Sequence, residues 1–277
     1  MNGQIVVVAT KTDPASFNIA QNLLELAKWK DDGDYFSKGD HRLIIFHENL
    51  LYLQNLDELL AGLRLRPDVV IFASRHQSKD EKPRLCCHFT GNVGSATMGG
   101  NSRQLATAAP SYLKSFLSNL MKSGPQNFDI CAEATHHGPT DLKTPSFFAE
   151  IGSTEKEWIN SQAGAAVANS IMSIERSQLP IFLGFGGGHY MQRQNQLLKA
   201  CGIAFGHLFP NYQINELDQD MMKQACSKSG ASYAYLDKKS LRSASKKKIT
   251  QILNDLGLEI VKKNDIKKNF PFLDYSV

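Results

Sequence analysis

Asn127-Phe128-Asp129-Ile130-Cys131-Ala132-Glu133-Ala134-Thr135-His136-His137-Gly138-Pro139 joins three kinds of sequence in a row. The first six residues read as a buried strand, the next five carry a carboxylate, a hydroxyl and two imidazoles, and Gly138-Pro139 closes the segment as a turn. Strand, then chemistry, then turn is an order that recurs along the chain. Ile5-Val6-Val7-Val8 leads to Thr10 and then to Asp13-Pro14, which supply an N-cap and a proline at the first helical position. Val69-Val70-Ile71-Phe72-Ala73 leads to Ser74-Arg75-His76. Leu85-Cys86-Cys87 leads to His88-Phe89-Thr90 and the small-residue loop Gly91-Asn92-Val93-Gly94. Leu179-Pro180-Ile181-Phe182-Leu183-Gly184-Phe185 leads to Gly186-Gly187-Gly188-His189-Tyr190.

Helical periodicity fills the intervals. Phe17, Ala20, Leu23, Leu24 and Ala27 share one face. Residues 102–121, 154–174, 192–200, 215–226 and 239–253 are further predicted helices, with Ser153 as the cap of the second of these. Strands are predicted at 42–46, 146–151, 202–208, 232–236 and 258–261, followed by a polar linker and an aromatic tail from Phe270 to Tyr275. Alternating strands and helices imply an α/β fold, a three-layer αβα sandwich around a mostly parallel sheet. The connection between the strands leading to Glu133 and Glu150 is too short for a helix, so the sheet is expected to be mixed. No Pro/Gly/Ser-rich linker divides the chain, and one domain over residues 1–277 is expected.

Composition narrows the possibilities. With 277 residues and 42% hydrophobic content the chain can bury one large core. The net charge of +4 is unevenly spread, since residues 222–277 hold 12 Lys+Arg against 5 Asp+Glu. A basic C-terminal portion on a near-neutral body suits a polyanionic partner or a solvated Lys-rich face. The five cysteines form no CxxC, as expected for reduced thiols in a cytoplasmic protein. The sequence passes from Met1 directly into a strand, so no signal peptide is expected, and no apolar run of about 18 residues offers a membrane span.

The ends of the strands carry the chemistry. Thr10, His76, His88, Glu133 to His137, Glu150, His189 and His207 all lie at or just past an apolar run. In open α/β sheets ligands bind outside the carboxyl ends of the strands, so these residues are expected to converge on one cleft. Consecutive imidazoles beside a carboxylate are costly unless solvated or coordinating, which makes a metal-dependent hydrolytic site the reading of Glu133 to His137. In extended backbone only one of His136 and His137 would face that site. The spacing is not HExxH, and residues 184–190 do not form a dinucleotide fingerprint. No GxSxG elbow surrounds Ser95, Ser153 or Thr135. Cys87 and His88 are adjacent and diverge in a strand, and His41 and His47 read as structural.

Taken together, Ala73-Ser74-Arg75-His76, His88-Phe89-Thr90-Gly91-Asn92, Glu133 to Pro139, Phe148-Ala149-Glu150-Ile151-Gly152-Ser153 through Trp158, and Gly186-Gly187-Gly188-His189-Tyr190 resemble the archaeal and plant type of D-aminoacyl-tRNA deacylase. The match spans most of the chain in order. It implies a zinc-containing hydrolase of translation quality control that cleaves the ester of D-aminoacyl-tRNA. It also implies an α/β fold related to peptidyl-tRNA hydrolase and the nucleoside phosphorylases. Such a reaction needs an activated water, stabilisation of an oxyanion and a proton for the ribose oxygen. Sequence position nominates His88, Glu133, His136 and His189 as the ligands of one or two Zn²⁺. Glu150 is expected as base or further ligand, His137 as the group that orients water or protonates the leaving oxygen, and Thr135 stands with them in the catalytic group. Arg75 and His76 are expected at the tRNA 3′ end. Asn92, Gly187 and Gly188 would allow close backbone approach, and Lys246, Lys247 and Lys248 would contact the acceptor-stem backbone. A monomer with no membrane association is expected. The rival readings are another hydrolase acting on tRNA esters or amides, such as peptidyl-tRNA hydrolase, and a non-catalytic tRNA-binding protein.

Overall fold

The computed structural model describes residues 3–272; Tyr275 of the expected aromatic tail lies outside the described residues. In chain order, β1 (Gln4–Thr10) feeds α1 (Pro14–Leu26), and β2 (Lys30–Asp31) and β3 (Phe36–Lys38) precede β4 (His41–Phe46). The Leu-rich stretch that follows holds a 3-10 turn (Leu50–Tyr52) and α2 (Leu56–Gly62), before β5 (Pro67–Arg75), β6 (Arg84–His88), β7 (Gly91–Asn92) and β8 (Gln104–Leu105). Then come α3 (Pro110–Ser123), β9 (Asp129–Ala132), β10 (Ser146–Gly152), α4 (Glu155–Trp158) and α5 (Ser161–Met172). The rest is β11 (Ile181–Phe185), α6 (Gln192–Ala200), β12 (Ala204–Phe209), α7 (Gln219–Ser229), β13 (Tyr233–Leu236), α8 (Ser243–Asp255), β14 (Glu259–Ile260) and α9 (Lys263–Asn269). No helix among the described residues is long and apolar enough to cross a membrane.

Local chemistry explains several boundaries. Asp13 caps α1 as expected, its carboxylate accepting from the Ala15 and Ser16 amides. Pro110 opens α3 rather than kinking a longer helix, because a proline lacks the amide that the helix interior needs. The predicted helix over 154–174 is two helices. Thr154, not Ser153, caps the first through a capping box with Glu157, and Asn160 caps the second by accepting from the Ala163 amide. The Ser153 hydroxyl instead donates to the Lys82 carbonyl at 2.7 Å. The polar stretch after β14 is the helix α9 and not a linker.

The main sheet is mixed and mostly parallel, with helices on both faces. Its order is β2-β3-β4-β1-β5-β10-β6-β9. β4, β1, β5 and β10 run parallel, β6 runs antiparallel to β10, and β9 runs parallel to β6. Ile5, Val7, Ile71, Phe147, Ala149 and Ile151 face α1, α3 and α5. Val6, Val8, Val70, Phe72 and Phe148 face the other way, under Leu50, Leu56 and Leu60. The strands after residue 180 do not extend this sheet. They form a second, wholly parallel one, in the order β12-β11-β13-β14. One side of it, with Leu183, Phe185, Ala234 and Leu236, is covered by α7 and α8. The other side, with Phe182, Phe205 and Tyr235, shares a continuous core with the helices of the main sheet.

Candidate metal and catalytic site

Glu133 to His137 is the segment that ties the two sheets together. The Glu133 amide donates to the Cys87 carbonyl at the end of β6 (2.9 Å), and the His137 carbonyl accepts from the Gly91 amide (2.8 Å). Between them, the Ala134 and Thr135 amides donate to the carbonyls of His189, in the loop after β11, and Leu208, in β12, each at 2.8 Å. The chain therefore leaves its strand to be held from both sides, and its side chains point into the space between the sheets.

The floor of that space is a sheet face. Side chains two apart on a strand share a face, so Phe148 and Glu150 emerge together, as do Cys86 and His88. Phe72 stacks on Phe148 with ring centroids 4.7 Å apart, Phe148 on His88 at 5.2 Å, and His88 lies 4.1 Å from His136. An apolar stack thus passes into an imidazole cluster. The expected convergence on strand carboxyl ends holds for His76 after β5 and His189 after β11. By contrast, His88 and Glu133 come from strands that run the opposite way and meet Glu150 across the face of the sheet.

Both histidines of the pair enter the cluster, contrary to the expectation from strand alternation. The backbone of His137 has φ +41°, in the left-handed region, so the extended pattern stops there. Its ring reaches within 4.4 Å of His136 and 4.7 Å of His88, centroid to centroid. The rings are oriented by the main chain. Nδ1–H of His88 donates to the Phe89 carbonyl (3.1 Å), that of His136 to Ala134 (2.8 Å) and that of His137 to Gly138 (2.6 Å). Each bond fixes the tautomer and leaves Nε2 with its lone pair free, the arrangement found in metal-ligating histidines.

Two carboxylates complete the group. Glu133, 1% exposed, places Oε2 3.1 Å from His189 Nε2 and 4.0 Å from His136 Nε2, and Oε1 3.1 Å from His76 Nδ1. Glu150 lies 3.6 Å from His88 Nε2 and 3.7 Å from His76 Nδ1. Burial works against both carboxylates, yet the facing imidazoles hold each below the usual range: His189 and His76 for Glu133, His88 and His76 for Glu150. Burial likewise pushes His76 and His88 down, but the carboxylates outweigh it and raise both. For His136 and His137 the balance goes the other way, and for His137 the raising effect of Glu150 and Glu133 is outweighed. Burial, then repulsion from His88, drives His136 well below its normal value and His137 to about 4.

These residues fit a metal ion. His88 Nε2 is a buried atom with no hydrogen-bond partner, since 3.6 Å from Glu150 is too far for that bond, and Glu133 Oε1 makes no hydrogen bond although it lies 3.1 Å from His76 Nδ1. Imidazole nitrogen and carboxylate oxygen donors in this mixture suit a divalent transition metal. The ligand atoms of His88, His136 and His137 lie within 4.8 Å of one another, and the same limit holds for Glu133, His136 and His189, and for His88, Glu133 and Glu150.

The remaining sequence candidates separate. His76, expected at the tRNA, is only 6% exposed and belongs to the cluster; its Nε2 meets the Tyr190 hydroxyl at 3.1 Å. Thr135 turns away from the cluster, its hydroxyl fully buried between His207 Nδ1 and the Leu208 amide, each at 3.1 Å. The Asn92 amide nitrogen is taken up by the Gly99 and Asn101 carbonyls and shapes a loop. Gly187, with φ +93°, and Gly188 have no atom closer than 3.9 Å to an added Cβ, so their backbone is open to approach. Arg75 stacks on Trp158 at the rim (5.1 Å). Lys246, Lys247 and Lys248 sit on α8 and line neither cavity beside the cluster; Lys248 reaches the Asn215 carbonyl at 3.0 Å. Cys87 faces the helices on the other side of the sheet and burial raises its thiol, so it is no nucleophile.

Sequence reasoning missed three supporting residues. Tyr190 bridges His76 and Ser78, Tyr212 meets His189 Nδ1 at 3.1 Å, and Asn195 binds the main chain of both Ala132 and Tyr190. Tyr190 follows His189 directly and was within reach of the motif, whereas the other two carry no local signal. Two cavities flank the histidine pair. One, of about 350 Å³, is lined by Thr10, Asp13, Arg75, His76, His136 and His137; the other, of about 370 Å³, by Asn92, Val93, Met98, Tyr212 and the same pair.

Comparison with known proteins agrees with the resemblance read from the motifs. A family model described as D-aminoacyl-tRNA deacylase matches residues 63–261. A protein of Methanosarcina mazei named D-aminoacyl-tRNA deacylase is 41% identical over 97% of this chain and 95% of its own length. One of the same name from Pyrococcus horikoshii is 37% identical over 93% of this chain and 99% of its own. A crystal structure described as a conserved protein of unknown function superposes with a TM-score of 0.92 at 33% identity, covering 99% of this chain and 100% of that one.

Proposed function

This chain belongs to the D-aminoacyl-tRNA deacylase family, and from that premise we propose that it hydrolyses the ester of D-aminoacyl-tRNA at the His/Glu cluster, with zinc bound there. The products are a free D-amino acid and tRNA. The observation that carries the metal reading is the buried, unpartnered Nε2 of His88, in a cluster where His88, His136 and His137 each have their Nδ1–H pinned to a carbonyl. His88, Glu133, His136 and His189 would hold the ion, with Glu150 beside His88. Zinc with an open position lowers the pKa of a bound water to about 7 and polarises a carbonyl.

The chain's own residues supply the rest. His137 lines both cavities, and its Nε2 can take a proton from the attacking water and return it to the ribose oxygen. In that step the water oxygen bonds to the acyl carbon as the bond from that carbon to the ribose oxygen breaks. Glu150 and His76 hold a fixed charge pattern beside it. The open backbone of Gly187 and Gly188 admits the terminal nucleotide, and Arg75 stands at the mouth of the first cavity. Lys246, Lys247 and Lys248 add cationic surface for the acceptor stem. Selection of D over L substrates would come from which cavity receives the side chain. The core shared by both sheets supports a single folding unit over 1–277, and we take it as a monomer acting where aminoacyl-tRNA is found, in the cytoplasm.

The test is a deacylation assay with matched D- and L-aminoacyl-tRNA, run on protein of measured metal content. Stoichiometric zinc, loss of activity in chelator and a strong preference for the D substrate are expected. Full activity in chelator with no stoichiometric zinc would sink the metal role, and equal hydrolysis of both enantiomers would sink the substrate.

A further inference from the structure

The geometry points to the carboxyl edge of the second sheet as a docking cleft for the tRNA phosphate backbone, separate from the lysines of α8. All four strands of that sheet are parallel, so their carboxyl ends emerge along one edge. β11 delivers Gly186 to His189, and the loop after β12 delivers Tyr212, both to the cluster. β13 and β14 deliver Lys238, Lys239, Lys262 and Lys263 to the neighbouring part of the edge. There they line a cleft of about 530 Å³ together with Arg193 and Tyr235.

The charge in this cleft is one-sided. No aspartate or glutamate lines it. Arg193 is engaged by Asp237 at 3.2 Å and Lys263 by the Gln196 side chain at 2.6 Å. Lys238, Lys239 and Lys262 are exposed, and none has a carboxylate within 4.0 Å among the described residues. Cations gathered this closely repel one another unless an anion lies between them. Tyr235 is 3% exposed and offers no stacking face, so the cleft suits phosphates rather than bases, and would hold the backbone without reading sequence.

Placement connects the cleft to the chemistry. Arg193 lies four residues after His189, in the first turn of α6. The Gly186 turn that leads to His189 packs against Asp237 and Ser240, and Gln194 fixes it by donating to the Phe185 and Gly186 carbonyls. A strand whose terminal ribose lies at the cluster can therefore run back along the same sheet edge. This inference rests on the deacylase reading for the identity of its ligand.

The experiment measures binding of uncharged tRNA by fluorescence anisotropy across a KCl series. It uses the full-length protein, a variant with Lys238, Lys239, Lys262 and Lys263 all changed to Gln, the same four changed to Arg, and a variant with Lys246, Lys247 and Lys248 changed to Gln. Circular dichroism confirms folding. The four-Gln variant should lose at least about tenfold in affinity near 0.1 M KCl, and its slope of log K against log[KCl] should flatten by about 2 to 3. The Arg variant should retain both, and the α8 variant should lose less than the four-Gln variant. Unchanged affinity and slope in the four-Gln variant, or a larger loss in the α8 variant, would overturn the assignment. Failure of the deacylase reading shows separately, as absence of D-aminoacyl-tRNA hydrolysis by the unmodified protein while its tRNA binding persists.

Discussion

Removing the side chain of Asn195 should cost both stability and activity, although the residue touches neither cavity. Asn195 is 6% exposed on α6. Its Oδ1 accepts from the Ala132 amide at 2.8 Å, and its Nδ2 donates to the carbonyls of Ala132 (2.7 Å), Tyr190 (2.9 Å) and Met191 (3.3 Å). Ala132 precedes Glu133 and Tyr190 follows His189, so one amide sets the distance between two proposed ligands held 3.1 Å apart. Four contacts at about 1 kcal/mol each, partly recovered by water entering the space, give a loss of about 3 kcal/mol for Asn195→Ala. A displacement of about 1 Å at the cluster would lower kcat/KM by about a hundredfold. Asn195→Asp keeps the shape and the acceptor for the Ala132 amide, but turns a carboxylate oxygen toward three carbonyls. It should therefore be at least as damaging as the alanine variant. Urea unfolding, zinc content and deacylation kinetics on the three proteins measure this. A loss under about 0.5 kcal/mol with unchanged kcat/KM, or an aspartate variant milder than the alanine one, would show that Asn195 does not hold the two segments together.

Thr135→Val keeps the shape but strands the Leu208 amide and His207 Nδ1, so it should lower stability by about 2 kcal/mol. Turnover by the folded fraction should persist, since the hydroxyl faces away from the cluster; a loss of kcat without loss of stability would place Thr135 in the catalytic group. His207, buried between Thr135 and the Ala106 carbonyl, is pushed by burial down to about 3, so it stays neutral in the fold while the unfolded chain takes up a proton near pH 6.5. The folded value is depressed, so stability is complete above pH 6.5 and falls as the pH drops toward 3. Replacing His207 with Gln should remove up to about 1.4 kcal/mol per pH unit from that acid slope, measured by urea unfolding in chelator between pH 6 and 4.

Much of the protein was written in local sequence. The alternation of apolar runs and helical periodicity specified the α/β class, because burial of a strand or a helix face leaves a period in the chain. Asp13-Pro14 marked a helix start, because capping needs only neighbouring residues. Glu133, His136 and His137 stood out as polar side chains in quick succession at a strand exit, and Glu150 and His189 as groups at the ends of apolar runs. Other features depend on which strands lie side by side. The division into two sheets, and the meeting of antiparallel β6 with β10 that brings His88 to Glu150, came from long-range pairing that no window of sequence contains. The same packing drew His76 into the cluster and turned Thr135 toward His207. A left-handed backbone at a single residue placed both His136 and His137 on one site, where extended geometry would have separated them. Residue types and their spacing named the groups that could carry the chemistry; which of them face one another followed from the strand order and from the backbone path between the sheets.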